Sequence, residues 1–328
     1  MVATTYRSVN SSTNHPPPDY QHLEFWSNMI TLRSRKIIPR WAQFVCISVF
    51  SVTVVFGLVG NALSFVVMLR TSMRKHSYSI YLLFLAVSDT SALCGSIMIT
   101  TNRIFFVIGA SDFPTPVITF TSRFGCKFVE YILHSFLTLS ASLIAVISVE
   151  RTIIVVFPFF ARTISKRGTT LIVASSSTIV IFASTFYVFL GVEYWAGGDE
   201  CYLSTIIDIG YHYQVATVFS LYLPVATVIV CNVVIYVVLQ TSKMSGDKGG
   251  NTRVTKMLFI VTSTFVLVNL PLSVITFWMG LSIGRVTPKM TLIHELALLT
   301  MNINFSINFY LYLIGAEFRK AVKELCRC

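Results

Sequence analysis

Residues 41–69 read WAQFVCISVFSVTVVFGLVGNALSFVVML, from Trp41 to Leu69, without one Asp, Glu, Lys or Arg. An α-helix rises about 1.5 Å per residue, so roughly 20 apolar residues cross the ~30 Å hydrocarbon core of a bilayer. The stretch is more than long enough, and the pattern recurs along the chain. Thr169–Val192, Ile209–Ser242, Met257–Gly284 and Leu296–Ala316 are also free of charged residues. Ser77–Thr101 holds Asp89 alone, and Cys126–Val149 holds only Lys127 and Glu130, near its start. Seven windows predict seven membrane-spanning helices.

The composition agrees. Of 328 residues, 54% are hydrophobic and 12% charged, with a mean hydropathy of +0.72. A soluble chain this apolar could not cover its surface with polar groups. A membrane β-barrel would show segments of about ten residues with alternating polarity, and a soluble bundle would need polar outer faces. Neither pattern is present, so the fold expected is all-α and membrane-embedded.

Loop charge sets the orientation, because cytoplasmic loops collect Lys and Arg. With the N-terminus outside, the inner segments hold fifteen basic and four acidic residues, a balance of +11. The outer segments balance to +1, and Asp89 lies within a span. The basic character therefore marks an inner membrane face and not a nucleic-acid-binding surface. Arg33, Arg35, Lys36 and Arg40, just before the first span, oppose this orientation and are outweighed by the later loops. Residues 1–40 lack the apolar core of a cleavable signal peptide. Their Pro16-Pro17-Pro18 run and scattered polar residues read as a disordered extracellular tail, with a glycosylation sequon at Asn10. The expected organisation is that tail at 1–40, a seven-helix bundle at 41–314, and an amphipathic helix with a short cytoplasmic tail at 315–328.

Polar groups inside lipid are expensive unless satisfied, so they are the informative residues. The first span carries Gly57, Gly60 and Asn61; the second carries Leu85-Ala86-Val87-Ser88-Asp89. The third runs at helical spacing from Cys126 past Glu130, Leu133, His134 and Ser140 to Glu150-Arg151-Thr152. The seventh holds Asn302, Asn304, Ser306 and Asn308, then Tyr312.

Taken together, these residues resemble the rhodopsin-like (class A) G-protein-coupled receptors from about Trp41 to Cys328. Gly57-x-x-Gly60-Asn61 and Leu85-Ala86-x-x-Asp89 match the first two helix signatures, and Glu150-Arg151-Thr152 stands for Asp-Arg-Tyr. Pro224 and Pro271 fall where the fifth and sixth helices carry prolines, and Asn308-Phe309-Tyr310-Leu311-Tyr312 replaces Asn-Pro-x-x-Tyr. The departures are an absent tryptophan in the fourth span, Asn269 at the toggle tryptophan, Asn232 at a helix 5 tyrosine, and Phe309 at the helix 7 proline. The lower sixth span has Asn251 and Arg253 and no acid to lock Arg151.

The resemblance implies a disulfide between Cys126 and Cys201, and a coupling switch built on Glu150, Arg151, Phe265, Pro271, Asn308 and Tyr312. It also implies a sodium cage of Asp89, Ser140, Asn304 and Asn308, for which a water network without an ion is the alternative. No other cofactor is expected, and no catalytic constellation points to an enzyme. The basic, amphipathic stretch Glu317–Cys328 suits the inner leaflet, with Cys326 and Cys328 as palmitoylation candidates against unmodified thiols.

The partners implied are an extracellular ligand, a heterotrimeric G protein and the plasma-membrane bilayer. Asn302 in place of a retinal-binding lysine argues against an opsin, and Leu133 argues against a monoamine. The ending of the seventh span is similar to invertebrate FMRFamide-type neuropeptide receptors. Outside the N-terminal tail the outer side has seven acids against five bases, a mouth that favours a cationic peptide. Glu130, His134 and Glu295 are the expected ligand contacts, with Tyr131 and Trp278 as aromatic walls. The alternatives are a chemosensory receptor for small molecules and, from another class, a transporter. A transporter would show broken helices or repeats with several charged midplane residues.

Overall fold

In hydrocarbon every backbone N–H and C=O must be bonded within its own segment, so long apolar runs become helices. The computed structural model describes residues 40–107, 123–157, 159, 166–195, 200–203, 217–244, 251–281 and 288–326. Asn10, the tail before residue 40 and Cys328 lie outside the described residues. The helices follow the charge-poor windows: α1 (Arg40–Arg70), α2 (Tyr78–Val107), α3 (Arg123–Val156) and α4 (Arg167–Gly191). After them come α5 (Leu223–Met244), α6 (Asn251–Leu281), α7 (Pro288–Tyr312) and α8 (Ala316–Leu325). A short 3-10 turn at Ser72–Lys75 joins α1 to α2. Thr71 caps it, its hydroxyl accepting from the Met73 N–H.

One feature among the described residues is not helical. Strands β1 (Val192–Trp195) and β2 (Glu200–Leu203) form an antiparallel hairpin in which Tyr194 opposes Cys201. Polar backbone outside the hydrocarbon can pair across a turn as readily as along a helix, so the loop after α4 folds on itself and the all-α class of the bundle stands.

Among the described residues, α1 to α6 are each long and apolar enough to span a membrane alone. The last span passes only when α7 is taken with α8, across a bend of 82°. The reason is α7's own polar load, since His294, Glu295, Asn302, Asn304, Ser306 and Asn308 lie along its length. A seven-helix bundle with an eighth helix turned aside is the result.

Two of the helices define its centre and edge. More than half of the apolar window of α3 is buried, but under a fifth of that of α4, so α3 runs through the middle and α4 lies outside. The outward faces carry exposed Val52, Val55, Phe56 and Val59 on α1 and Ile172, Ile179 and Val180 on α4. Bilayer-facing hydroxyls are satisfied within their own helix: Ser51 donates to the Ile47 carbonyl at 2.9 Å and Thr53 to that of Val49 at 2.8 Å.

Close helix approach fixes the packing of α1. A Cβ on Gly57 would lie 2.5 Å from Ser306 Oγ and 2.6 Å from Leu93 Cδ1, and one on Gly60 would lie 3.1 Å from Phe309 Cβ. Small residues let transmembrane backbones approach where no water drives association.

Candidate functional site

The interior of the bundle is a polar line along α3 and α7, and its centre is Asp89. That side chain is fully buried on α2, and a buried carboxylate needs partners on both oxygens. Ser140 of α3 donates to Oδ1 at 2.5 Å and Asn308 of α7 donates to Oδ2 at 2.7 Å. One carboxylate thus ties three helices. Asn304 is buried one turn before Asn308 on the same face of α7. Carboxylate, hydroxyl and amide oxygens together are the hard donors that suit an alkali cation. Around this centre the Asn61 amide donates to the Phe305 carbonyl at 2.9 Å, and the Ser88 hydroxyl to that of Phe136 at 2.8 Å.

At the inner end, Glu150 and Arg151 are both buried, with Arg151 Nη2 3.8 Å from Glu150 Oε1. The guanidinium also lies over the Tyr78 ring, 5.4 Å from its centroid. Both Glu150 oxygens and Arg151 Nε and Nη2 are buried with no hydrogen-bond partner among the described residues. A buried charge pair left this incomplete costs stability, and its unmet donors are available to an incoming partner. Tyr312 is buried at the end of α7, its ring 5.5 Å from that of Phe318 on α8. Phe309 lies 5.7 Å from the same ring. It keeps the backbone N–H that the family's proline lacks.

On α6, Phe265 and Asn269 are buried, and the Asn269 amide donates to the Phe265 carbonyl at 2.9 Å. Pro271 lies two residues on, inside the helix. Asn232 of α5 forms a clasp with α6: the Thr262 hydroxyl donates to Asn232 Oδ1 at 2.8 Å, and Asn232 Nδ2 donates to Ser263 Oγ at 3.2 Å. This clasp was not foreseen in the sequence, where Asn232 registered only as a missing tyrosine. Before α5, Val218–Tyr222 is a wide π-turn. Pro224 has no N–H to return to the preceding turn, which such a widening accommodates.

The outer half sorts the expected ligand contacts. Glu130 and His134 are half-buried, one turn apart on α3, and His134 Nε2 lies 3.5 Å from the Tyr187 hydroxyl of α4. Two aromatic walls need correction. Tyr131 donates to the Phe182 carbonyl at 3.0 Å, and its ring meets Phe182, Phe186 and Phe189 edge-on. It therefore faces α4 and not the bundle interior. Trp278 is 55% exposed and continues the exposed stripe Leu267, Leu270, Val274 and Phe277, so it faces outward. The side chains of Glu295 and Cys201 lie outside the described residues. Sequence reading passed over Ser273 and Thr276 as well, which are buried on α6. Asn302, a polar residue of the seventh span and the position that argues against an opsin, is buried, and its Oδ1 has no hydrogen-bond partner among the described residues.

Comparison with known proteins bears on this geometry directly. The sequence model of the 7 transmembrane receptor (rhodopsin family) matches residues 60–312. The chain belongs to the rhodopsin family of seven-transmembrane receptors. Its Asp89 centre and Arg151 end thus lie in a receptor bundle, and neither the enzyme nor the transporter reading applies. The chain is similar to cysteinyl leukotriene receptor 1 of Mus musculus, 20% identical over 252 residues, covering 75% of this chain and 69% of the relative. The Sus scrofa and Cavia porcellus receptors of the same name are 22% and 21% identical over 231 residues, covering 68% of this chain and 65% of each relative. The chain thus spans about two thirds of the length of these relatives. The FMRFamide-type likeness, drawn from the end of α7 at Ser306–Tyr312 with Phe318-Arg319-Lys320 of α8, is corrected by matches of this length to leukotriene receptors.

Proposed function

We propose that this receptor binds an extracellular ligand and activates a heterotrimeric G protein, from the plasma membrane with its N-terminus outside. The observation that carries this is Arg151, buried at the inner end of α3 beside Glu150, with Nε and Nη2 lacking a hydrogen-bond partner among the described residues. A small movement of α6 gives a partner access to donors already desolvated. Arg151→Ala is expected to abolish G-protein activation in cells while surface level stays near normal. Signalling at the unmutated level would overturn the reading.

The ligand we propose first is a cationic peptide. Glu130 offers an acid on the outer half of α3 one turn from His134, and Glu295 belongs to the same outer end of the chain. A leukotriene is the second reading, favoured by the names of the relatives. Calcium or cAMP responses to amidated peptides, cysteinyl leukotrienes and odorants separate the two from a chemosensory role. Glu130→Gln is expected to right-shift a peptide response by about tenfold, as loss of a charge-assisted contact does.

Other assignments support the same reading. Cys126 is fully buried beside Val188 and Val192, at the start of the hairpin that carries Cys201, and it is not a free thiol as Cys94, Cys231 and Cys326 are. We assign its bridge to Cys201. Asp89, Ser140, Asn304 and Asn308 would hold a sodium ion, whose charge would complete the partnering of the carboxylate. Phe265 and Pro271 would serve the movement of α6. Cys326 is exposed after α8 and open to acylation, with Cys328 as a second acceptor and Asn10 as the glycan site.

A further inference from the structure

Arg151 brings a positive charge into the bundle, and most of its surroundings cannot answer it. Neither α5 nor α6 contains an Asp or Glu. Glu150 is its neighbour on the same helix, so their 3.8 Å contact fastens α3 to no second element. Among the described residues, the contact of this charge that leaves α3 is with Tyr78, the first residue of α2, whose ring centroid lies 5.4 Å from Cζ. A cation within about 6 Å of an aromatic face is attracted by the ring quadrupole, more strongly where water is excluded. Both residues are buried.

The ring is itself held in place. The Tyr78 hydroxyl donates to Met73 Sδ at 3.9 Å, and Met73 is buried in the turn before α2. The His76 ring stacks on that of Tyr78, with centroids 5.2 Å apart and planes 25° from parallel. A ring face balances charge without occupying the donors at the edge of a guanidinium. Nε and Nη2 accordingly have no hydrogen-bond partner among the described residues. Granted the coupling role of Arg151, we propose that Tyr78 is its positioning residue: the ring face keeps the guanidinium against α2 in the resting receptor, and an incoming G protein draws it off. The restraint is aromatic and belongs to α2, so weakening the ring face lets Arg151 reach its partner-facing arrangement without ligand.

The test reads ligand-independent activation of the full chain in cells, with a panel of G-protein dissociation sensors and surface level measured alongside. Tyr78→Leu is expected to raise basal activation about fivefold, through loss of one desolvated cation–π contact. Tyr78→Phe keeps the ring face and is expected to stay at the parent level. Tyr78→Phe built with difluoro- and then trifluoro-phenylalanine keeps the shape and weakens the quadrupole, so basal activation should climb with each step. Adding Arg151→Ala to Tyr78→Leu should silence it. A flat fluorine series is what a merely structural ring predicts, and it would overturn the proposal even where Tyr78→Leu fails to reach the surface. An equal rise in Tyr78→Phe and Tyr78→Leu would overturn it too, by assigning the effect to the hydroxyl. Either result leaves the coupling reading intact, whereas Arg151→Ala signalling at the parent level would overturn that reading and the proposal with it.

Discussion

Asn232 shows what one substituted position can do inside a bundle. Its amide is too short to fill a tyrosine's place, but it has both a donor and an acceptor, and Ser263 and Thr262 meet them. A hydrogen bond between neutral groups contributes about 1 kcal/mol net, so the clasp is a modest fastener between α5 and α6. Asn232→Ala and Thr262→Val are each expected to lower the melting temperature of the detergent-solubilised receptor. Their double-mutant cycle should give a coupling of about 0.5–1.5 kcal/mol. Strictly additive losses would show that the two side chains do not act on each other. The asparagine was visible in the sequence as a polar intruder, but its partners were not. Hydroxyls abound on α6, and most serve their own backbone, as Thr264 does by donating to the Ile260 carbonyl at 2.9 Å.

At the scale of elements, the joint between α7 and α8 is governed by space more than by backbone geometry. Gly315 has φ −74 and ψ 128, a conformation open to any residue. What excludes a side chain is Met257 of α6, whose sulfur fills the volume a Cβ would take. The inner end of α6 is therefore seated against that joint, in a chain that lacks an acidic lock on Arg151. Gly315→Ala is expected to lift Met257 from its seat and raise ligand-independent G-protein activation. In a Met257→Ala background the same change should add nothing, and basal signalling in the four cells of that cycle is the measurement. The helices themselves were legible because lipid leaves the backbone no alternative. Their facing was not: α6 is apolar on almost every side, so no stripe marks its inner face. That is why Trp278 was placed inward from its residue type and is found facing out. Tyr131 was misassigned for a related reason, since α3 is contacted on all sides and spacing alone does not say which neighbour a ring meets.

At the scale of the molecule, Asp89 connects the two ends. It binds α2, α3 and α7 together midway between the outer residues Glu130 and His134 and the inner Arg151, so an ion held there stabilises one arrangement of all three helices. Sodium chloride is expected to raise the melting temperature relative to choline chloride, with about 1.4 kcal/mol of stabilisation at tenfold the dissociation constant. Asp89→Asn should abolish that difference, and a sodium effect surviving the mutation would exclude this site. The carboxylate was readable at sequence level because charge in mid-membrane is so costly that it declares itself, whereas its partners Ser140 and Asn308 were implied only by the family resemblance. The clasp and the Met257 seat, built from residues that carry no such cost, stayed silent.

The polar load of α7 also governs how the chain is made. Six spans can each leave the translocation machinery on their own hydrophobicity. The seventh carries the residues that serve Asp89, and in isolation it partitions poorly into lipid. It therefore enters as a client of helices already in place: Asn61 receives it at the Phe305 carbonyl, and Asp89 receives it through Asn308. Insertion of the receptor is therefore expected to be ordered from the N-terminus, with damage to α1 or α2 read as a failure to integrate the last span.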